Sequence, residues 1–179
     1  MSDTAAARPS LRAATAADLA AITALYAEEV RTGLATYEYA PPDEPEMAKR
    51  WQAIVSQGYP FLVAHLDERL AGYAYASAYR TREGYRWTVE DTVYVHPALA
   101  GRGVGRSLLQ RLIDDCTTLG YRQMVAVIGD RSNAASIALH TRLGFATVGT
   151  FRGLGRKHGQ WLDTVQMQRP LGFGDSCAP

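Results

Sequence analysis

The segment VYVHPALAGRGVGRSLLQRLIDDCTTLG, residues 93–120, carries the clearest structural pattern in this 179-residue chain. It begins inside a run of β-branched and aromatic residues, 87–95, which is typical of a strand. Three glycines follow between residues 101 and 105, and from 104 to 119 apolar side chains recur at helical spacing before a terminal glycine. The segment therefore predicts a strand, a glycine turn and an amphipathic helix, in that order.

The glycine turn at residues 101–105 is a candidate phosphate cradle, because a helix N-terminus offers free backbone N–H groups and a partial positive charge. Two nucleotide-binding loops do not match it. The dinucleotide fingerprint G-x-G-x-x-G needs a third glycine where Arg106 or Leu108 stands, and the Walker loop needs Gly-Lys before Ser or Thr. The plain alternative is a left-handed turn that only joins strand to helix. Arg102 and Arg106 could steer phosphates or be ordinary surface charges.

Similar patterns elsewhere predict the remaining elements. The expected helices cover residues 15–33, 44–56, 104–119 and 132–143. The expected strands cover residues 60–66, 72–80, 87–95, 123–128, 145–152 and 161–169, the first two forming a hairpin. Thr15 is the expected cap of the first helix, with Asp18 in the capping-box position. Helices first, then strands alternating with helices, indicate a mixed α/β or α+β fold with one sheet covered by helices.

The composition limits the classes of protein. With 47% hydrophobic and 21% charged residues, the chain is typical of one globular domain and unlike a disordered or fibrous protein. We expect that domain at residues 9–171, between flexible termini at 1–8 and 172–179. Lys plus Arg total 19 and Asp plus Glu 18, so a net charge of +1 favours neither nucleic acid nor an anionic membrane as a partner.

Other patterns are missing from the sequence. The longest apolar stretch, Met124 to Ile128, is far shorter than the ~20 residues that span a bilayer. The first residues lack a secretory pattern, and Cys116 and Cys177 make no disulfide framework. The histidines show no metal-ligand spacing. We therefore expect a cytoplasmic protein that uses no metal.

Two stretches carry a family resemblance. ALAGRGVGRSLL, residues 98–109, and AVIGDRSNAASIALHTRLGF, residues 126–145, resemble the GCN5-related N-acetyltransferases (GNAT), whose Q/R-x-x-G-x-G/A loop holds the acetyl-CoA pyrophosphate. GYAYASAYRTREGYRWTVEDTVYVHP, residues 72–97, and GRKHGQWLDTVQMQR, residues 155–169, look like the phosphinothricin and methionine sulfone/sulfoximine acetyltransferase group. The resemblance covers about residues 11–171. One position departs from the motif: Ala100 stands where Gln or Arg is usual, which removes one side-chain donor.

The resemblance implies an α+β fold with a central mixed, mostly antiparallel sheet of about six or seven strands flanked by about four helices. It also implies acetyl-CoA as co-substrate and a homodimer. The implied acetyl-CoA contacts are Val93, Tyr94, Val95, Ala100, Gly101, Arg102, Gly103, Val104, Gly105, Arg106, Asn133 and Ser136. Within this set, Val93–Val95 would splay from the neighbouring strand and pair with the pantetheine arm, which Asn133 would also contact.

Glu90 is the candidate general base. Acetyl transfer requires a neutral amine, and an α-amine with a pKa of ~8 is only about a tenth neutral at neutral pH. A base contributes about 10²- to 10⁴-fold. Glu90 lies mid-strand among apolar and β-branched neighbours, where burial raises the pKa of a carboxyl. A solvated or arginine-paired glutamate explains the residue equally well, but the resemblance implies a place beside the reacting amine.

His140 is the candidate acid for the departing CoA thiolate. With a pKa like that of cysteine, ~8.5, this thiolate leaves fairly well unprotonated, so an acid helps less than the base. Asn133 and His140 lie two helical turns apart, which places both on one side of their helix. A surface or core histidine is the plain alternative. The resemblance implies the catalytic position.

The acceptor site is less clear from the sequence. Arg80 and Arg82, two apart at a strand end, could grip a carboxylate in a fork or be solvated charges. The resemblance implies that Tyr37 and Glu38 close over the substrate and that the strand before Glu90 helps to hold it. The full set of expected substrate-binding residues is Tyr37, Glu38, Arg80, Thr81, Arg82, Thr88 and Val89.

The sequence thus predicts an N-acetyltransferase that moves acetyl from acetyl-CoA to the α-amine of a small amino acid or analogue, such as phosphinothricin or methionine sulfone/sulfoximine. Transfer would occur by direct attack. Two rivals stay open: a protein N-terminal acetyltransferase, and a non-catalytic CoA-binding regulatory module. Arg80, Arg82 and the Tyr37 loop favour a small enclosed site, and a non-catalytic module has no use for Glu90.

Overall fold

The computed structural model describes residues 8–178, and within them the chain forms seven strands and four α-helices. The strands are β1 (Ser10–Ala13), β2 (Phe61–Leu66), β3 (Arg69–Ala78), β4 (Thr88–Val95), β5 (Gln123–Ile128), β6 (Ala146–Lys157) and β7 (Gln160–Pro170). The helices are α1 (Leu19–Thr32), α2 (Glu44–Val55), α3 (Val104–Thr118) and α4 (Ala134–Arg142). Short 3-10 turns occupy residues 16–18, 83–85 and 97–99.

The strands form one sheet in the order β1-β2-β3-β4-β5-β7-β6. Neighbouring strands are antiparallel except β4 and β5, which run parallel. A parallel pair needs a crossover connection, and α3 supplies it, packed against β2, β3 and β4. The mostly antiparallel seven-stranded sheet with four helices confirms the predicted α+β fold class.

Helices cover both faces of the sheet. The apolar stripe of α3, including Leu108, Leu109 and Leu112, packs on one face in a core that also contains Phe145 and Met167 beside α4. On the opposite face, α1 and α2 pack against an aromatic group with Ile22 at its centre. The aromatic members of this group are Tyr26, Phe61 and Tyr73. Alternate residues of β4 therefore point into two different cores.

Two parts of the predicted order are corrected by the structure. The chain begins with strand β1, not with a helix, because a four-residue edge strand with exposed side chains carries no alternating pattern to detect. The last two strands are longer than 145–152 and 161–169 and meet at a turn where His158 and Gly159 have positive φ. Glycines and two register shifts interrupt the strand pattern of β6.

The predicted capping residues lie one turn before α1: Thr15 caps the 3-10 turn at residues 16–18, and Asp18 is the N-cap of α1. The Asp18 carboxylate accepts hydrogen bonds from the Thr15 N–H at 2.8 Å and the Thr15 hydroxyl at 3.0 Å. Arg12 donates to the same carboxylate and holds the pKa of Asp18 well below its usual range. Gly144, with a φ of 84°, follows α4 as expected of a helix terminator.

The terminal segments were expected to be flexible. Residues 1–7 and Pro179 of those segments lie outside the described residues. Residues 172–178 form turns, in which Gly174 N–H donates to the Leu171 carbonyl at 2.8 Å and Arg122 donates to the Ala178 carbonyl at 3.0 Å. The flexibility and the domain limits stay predictions. Among the described residues, none of the helices has the length and apolar character to cross a bilayer.

Candidate active site

A cleft of about 1100 Å³ opens where β4 and β5 separate. The two strands pair from Thr88 with Gln123 to Asp91 with Ala126, and the pairing stops there. Beyond that point the ends of both strands line the cleft together with the glycine loop and α4. The splay predicted for Val93–Val95 is therefore present, and it leaves backbone groups of β4 without a strand partner on that side.

The glycine loop has the geometry of an anion cradle. Gly101 and Gly103 have φ values of 76° and 81°, a left-handed conformation that side chains rarely adopt. Gly103 is the N-cap of α3, so the first amides of this fifteen-residue helix point into the loop with the positive end of its dipole. A Cβ on Gly105 would lie 3.2 Å from Leu139 Cδ2 and 3.3 Å from Val95 Cγ2. The residues present fit a pyrophosphate that is bound by backbone groups.

The cleft brings together most of the predicted cofactor residues. Those that line it are Val93, Tyr94, Val95, Ala100, Gly101, Gly103, Val104, Gly105, Arg106, Asn133 and Ser136. Arg102 is exposed on the loop and is not among the lining residues. Asn133 caps α4, where its side-chain oxygen accepts from the Ser136 N–H at 3.1 Å. The individual contacts of these residues with acetyl-CoA stay predictions.

Glu90 lies half-buried in this cleft, on β4 just before the strands separate. Within residues 8–178 its carboxylate has no side-chain hydrogen bond, so its oxygens are open to a ligand. Burial raises the pKa of Glu90 above its ordinary 4.5; the nearby Asp91 charge raises it further, and the Arg80 charge opposes both. A carboxylate with a raised pKa is a stronger base than a solvated one.

His140 reaches the site from α4 and contacts the strand behind Glu90. Its Nε2 lies 3.0 Å from Asp91 Oδ2 and its Nδ1 lies 2.7 Å from the Ser136 carbonyl oxygen. Burial lowers the pKa of His140, but the hydrogen bond and charge of Asp91 and the Ser136 carbonyl together raise it above 6.5. Both ring nitrogens therefore have protein partners. The role of acid stays a prediction.

Residues 34–39, here called the strap, form one wall of the cleft. Tyr37 donates to the Gly129 carbonyl and lies 2.8 Å from Thr164 Oγ1, which joins the strap to β7. Glu38 accepts from Tyr26 at 2.9 Å and from Arg50 Nη1 at 2.7 Å. Tyr37 lines the cleft, whereas Glu38 is held by α1 and α2 beside it.

The other predicted acceptor residues divide into two groups. Arg80 stacks on the Tyr79 ring at 4.3 Å and its charge acts on Glu90, which places it near the site. Thr81 and Arg82 are exposed on the loop after β3. Because β3 ends at Ala78, Arg80 and Arg82 both lie beyond the strand, and the strand alternation that would point their side chains the same way does not apply to them. Val89 is fully buried and can offer only backbone groups to a substrate. Thr88 lines a smaller neighbouring cavity of about 240 Å³ with Tyr79 and Gln166.

Two site residues were missed in the sequence. Asp91, the partner of His140, lies on the same face as Val89 and Val93, and a carboxylate on such an apolar face was the available signal. Lys157 is 1% exposed and donates to the Thr36 carbonyl at 2.8 Å, which fastens the strap to β6. Burial lowers the pKa of Lys157, against the charges of Glu29 and Glu38. No sequence signal marked this lysine as buried.

The part of the chain that the structure describes contains no group of three or more His, Cys, Asp or Glu arranged to hold a metal ion. The cleft is lined by a carboxylate, backbone amides and a buried imidazole. It has the shape and the donors for a long phosphate-containing ligand that reaches Glu90 from the glycine loop.

Comparison with known sequences agrees with this geometry. Residues 11–166 match the family model described as an acetyltransferase (GNAT) domain. The chain is 50% identical over 162 residues to a phosphinothricin N-acetyltransferase of Alcaligenes faecalis, with 90% of this chain and 82% of that protein covered. It is 42% identical over 161 residues to an L-methionine sulfoximine/L-methionine sulfone acetyltransferase of Salmonella typhimurium, with 90% and 94% covered.

A solved structure supports the same relationship. The GNAT superfamily phosphinothricin acetyltransferase from Sinorhizobium meliloti, determined in complex with AcCoA, matches this chain with a TM-score of 0.93 at 51% identity. The match covers 96% of this chain and 92% of that one. The resemblance found in the sequence is confirmed by both comparisons: the chain belongs to the GNAT acetyltransferase family.

Proposed function

We propose that this protein is an N-acetyltransferase that transfers acetyl from acetyl-CoA to the α-amine of a small amino acid or analogue, of the type of phosphinothricin or methionine sulfone/sulfoximine. The names of the relatives at 50% and 42% identity support this substrate class. The observation that carries the proposal is Glu90: a half-buried carboxylate with a raised pKa, in a cleft that begins at a phosphate-binding loop.

The cofactor end of the cleft is built for binding and aiming. Amides at the start of α3 bind the pyrophosphate, and the free edge of β4 at Val93–Val95 pairs with the pantetheine arm. When bound, acetyl-CoA supplies an activated thioester carbonyl. The separation of β4 and β5 aims that carbonyl toward Glu90, because both the strand ends and Glu90 line one continuous cleft.

Glu90 removes the proton that blocks the amine. In a direct attack, the amine nitrogen forms a bond to the acetyl carbon, the carbon–sulfur bond breaks, and its electron pair leaves on the CoA thiolate. Before the attack Glu90 takes one proton from the ammonium, directly or through water, and passes it to solvent. The second proton leaves the nitrogen as the amide forms and goes to the same carboxylate, which is again ionised. A raised pKa improves Glu90 as a base, provided that it remains ionised at the working pH.

The acceptor end favours a small substrate. The strap is fastened to α1, α2, β6 and β7 and forms a wall of the cleft that Glu90 also lines. The charge of Arg80 acts on Glu90, and Arg80 is the proposed partner of an acceptor carboxylate. A homodimer and a cytoplasmic location, both expected from the sequence, remain predictions.

The proposal is tested by thiol release from acetyl-CoA with the proteinogenic amino acids, phosphinothricin, methionine sulfone and methionine sulfoximine as acceptors. We expect release with one or more free amino acids or analogues and none with peptides that carry free N-termini. Release with peptides alone would make the protein an N-terminal acetyltransferase. Binding of acetyl-CoA without release for any acceptor would make it a regulatory module.

A further inference from the structure

Asp91 and His140 form a buried polar pair directly behind Glu90. The carboxylate lies on β4 and the imidazole on α4, 49 residues apart in the chain, and their side chains meet at 3.0 Å. Asp91 is 7% and His140 3% exposed. Because Asp91 follows Glu90 on the strand, the two carboxylates point to opposite faces of the sheet. The Asp91–His140 pair thus holds β4 from the face of the sheet opposite the Glu90 carboxylate.

The hydrogen-bond partners define the protonation of the pair. Nδ1 of His140 faces a backbone carbonyl, which only accepts, so this nitrogen carries a hydrogen. Nε2 faces a carboxylate oxygen, which also accepts when ionised. The other oxygen, Asp91 Oδ1, is buried without a hydrogen-bond partner among the described residues. Within residues 8–178, the one ion pair of Asp91 is with His140, so an imidazolium compensates this carboxylate.

Resting on the proposed function, we propose that Asp91 is a positioning residue: its ion pair with the His140 imidazolium holds β4 against α4 and thereby fixes Glu90 at the mouth of the separated strands. His140 keeps both ring hydrogens throughout the reaction and acts through Asp91. The thiolate leaves unprotonated, since each N–H of His140 already donates to a protein acceptor.

The surrounding charges determine the pH behaviour. Glu90 on β4 feels the Asp91 charge and, from the loop after β3, the Arg80 charge. On α3, Cys116 lies close enough to Asp91 for its charge to act on the thiol, whose pKa burial raises to about 12, so this group stays neutral. On β3, burial and the Glu90 charge raise the pKa of the Tyr75 phenol, so this group stays neutral. His140 on α4 is the titratable partner of Asp91. Replacing Asp91 by Asn removes its negative charge and leaves His140 neutral, so the net charge behind Glu90 stays zero and the pKa of Glu90 changes little.

The experiment compares Asp91→Asn with Asp91→Ala by full pH profiles of kcat/KM and by kcat at saturation. In Asp91→Asn the new amide N–H donates to Nε2 of a neutral His140, which keeps the link, so we expect kcat within about threefold of the parent. Its acidic limb stays close to that of the parent, because the ion pair and the Asn–imidazole pair that replaces it are both neutral overall. Asp91→Ala breaks the link, and we expect kcat to fall by about 10²-fold. Asp114→Asn, an exposed carboxylate on α3, is the matched control and leaves the limb unchanged.

Two results would overturn the positioning role. If Asp91→Asn loses as much kcat as Asp91→Ala, the charge of His140 is needed in the chemical step, as for an acid. If the acidic limb of Asp91→Asn moves clearly to lower pH, Asp91 carries an uncompensated charge in the parent, and the ion pair with a His140 imidazolium is refuted. Glu90→Gln is measured in parallel. Full activity of this variant would refute Glu90 as the base, whereas the Asp91 variants test only the positioning role.

Histidine ring NMR tests the pair without turnover. His140 signals are identified by their loss in His140→Gln, and their titration is followed in the folded parent and in Asp91→Asn. We expect the parent His140 to titrate above 6.5 and the Asp91→Asn His140 to titrate lower than the parent. A neutral His140 in the folded parent at pH 6.5 would refute the ion pair, whatever the kinetics show.

Discussion

The two ends of the cleft are built in different ways. The cofactor end consists mainly of neighbours in the chain: the end of β4, the glycine loop and the start of α3 follow each other within residues 93–106, and α4 adds Asn133 and Ser136. The acceptor end is assembled from distant segments. Tyr37 meets Gly129 across 92 residues, and Lys157 meets Thr36 across 121. One end is mainly local structure, and the other is formed by residues that only folding brings together.

This difference separates two kinds of specificity. A continuous loop of backbone amides recognises a phosphate through atoms that every residue has, so its side chains can change, as Ala100 shows at the motif's first position. The acceptor wall depends on side chains that hold one another, such as Tyr37, Glu38 and Arg50. We therefore expect substitutions at the two ends to affect different substrates.

Glu90→Gln is expected to have the largest effect, because Glu90 stands where the two ends meet. Loss of the base lowers kcat by about 10²- to 10⁴-fold, while the Kd for acetyl-CoA stays near that of the parent. Steady-state kinetics and calorimetric titration with CoA measure the two quantities. Glu28→Gln, an exposed glutamate on α1, is the control and keeps full turnover. Equal losses of kcat and of CoA affinity would place Glu90 in cofactor binding instead.

Gly155→Ala tests the acceptor wall. A Cβ at this position would lie 2.5 Å from the Tyr37 ring, and Tyr37 is hydrogen-bonded to β7, so the strap must move. We expect kcat/KM for the acceptor to fall roughly 10- to 100-fold with little change in the KM for acetyl-CoA. Gly149→Ala on the same strand is the matched control, because a Cβ there meets nothing within 4 Å.

The role of the strap is decided by measuring the kinetic constants of Gly155→Ala for acetyl-CoA and for the acceptor in the same assay. If Gly155→Ala raises the KM for acetyl-CoA as much as it affects the acceptor, the strap belongs to the cofactor end. If it matches Gly149→Ala in all constants, the strap takes no part in acceptor binding.

Gly103→Ala is the corresponding change at the cofactor end. No atom lies within 4 Å of the added Cβ, so the effect comes from the φ of 81° alone. A side chain in this left-handed conformation costs about 1–2 kcal/mol, which corresponds to a roughly 5- to 30-fold higher KM for acetyl-CoA if the loop relaxes when empty. The acceptor KM should stay constant. A larger change in acceptor KM than in acetyl-CoA KM would contradict the separation of the two ends.

The same contrast explains what the sequence could predict. The fold class, the helix from Val104 and the glycine loop depend on periodicity and glycine positions within short windows, and all three are present in the structure. Strand β1 depends on β2, more than forty residues away, and its four residues have no pattern of their own. The Asp91 pair and buried Lys157 likewise arise from tertiary contacts, which no local pattern encodes.

The smallest expected effect concerns the charge balance at Glu90. Arg80 lowers the pKa of Glu90, whereas burial and Asp91 raise it above 4.5. Since the base must be ionised, activity is lost as the pH falls through that raised pKa. Arg80→Gln removes the opposing charge, so the acidic limb of kcat/KM moves to higher pH, by about a few tenths of a unit because Arg80 is exposed and screened.

Arg82→Gln separates this electrostatic effect from acceptor binding. If the two arginines form a fork on the acceptor carboxylate, both substitutions raise the acceptor KM, but only Arg80→Gln moves the limb, because only the Arg80 charge acts on Glu90. High salt should reduce the pH shift of the acidic limb in Arg80→Gln, as expected for an exposed charge. A shift to lower pH, or an equal shift in both variants, would show that the charge near Glu90 in solution is not that of Arg80.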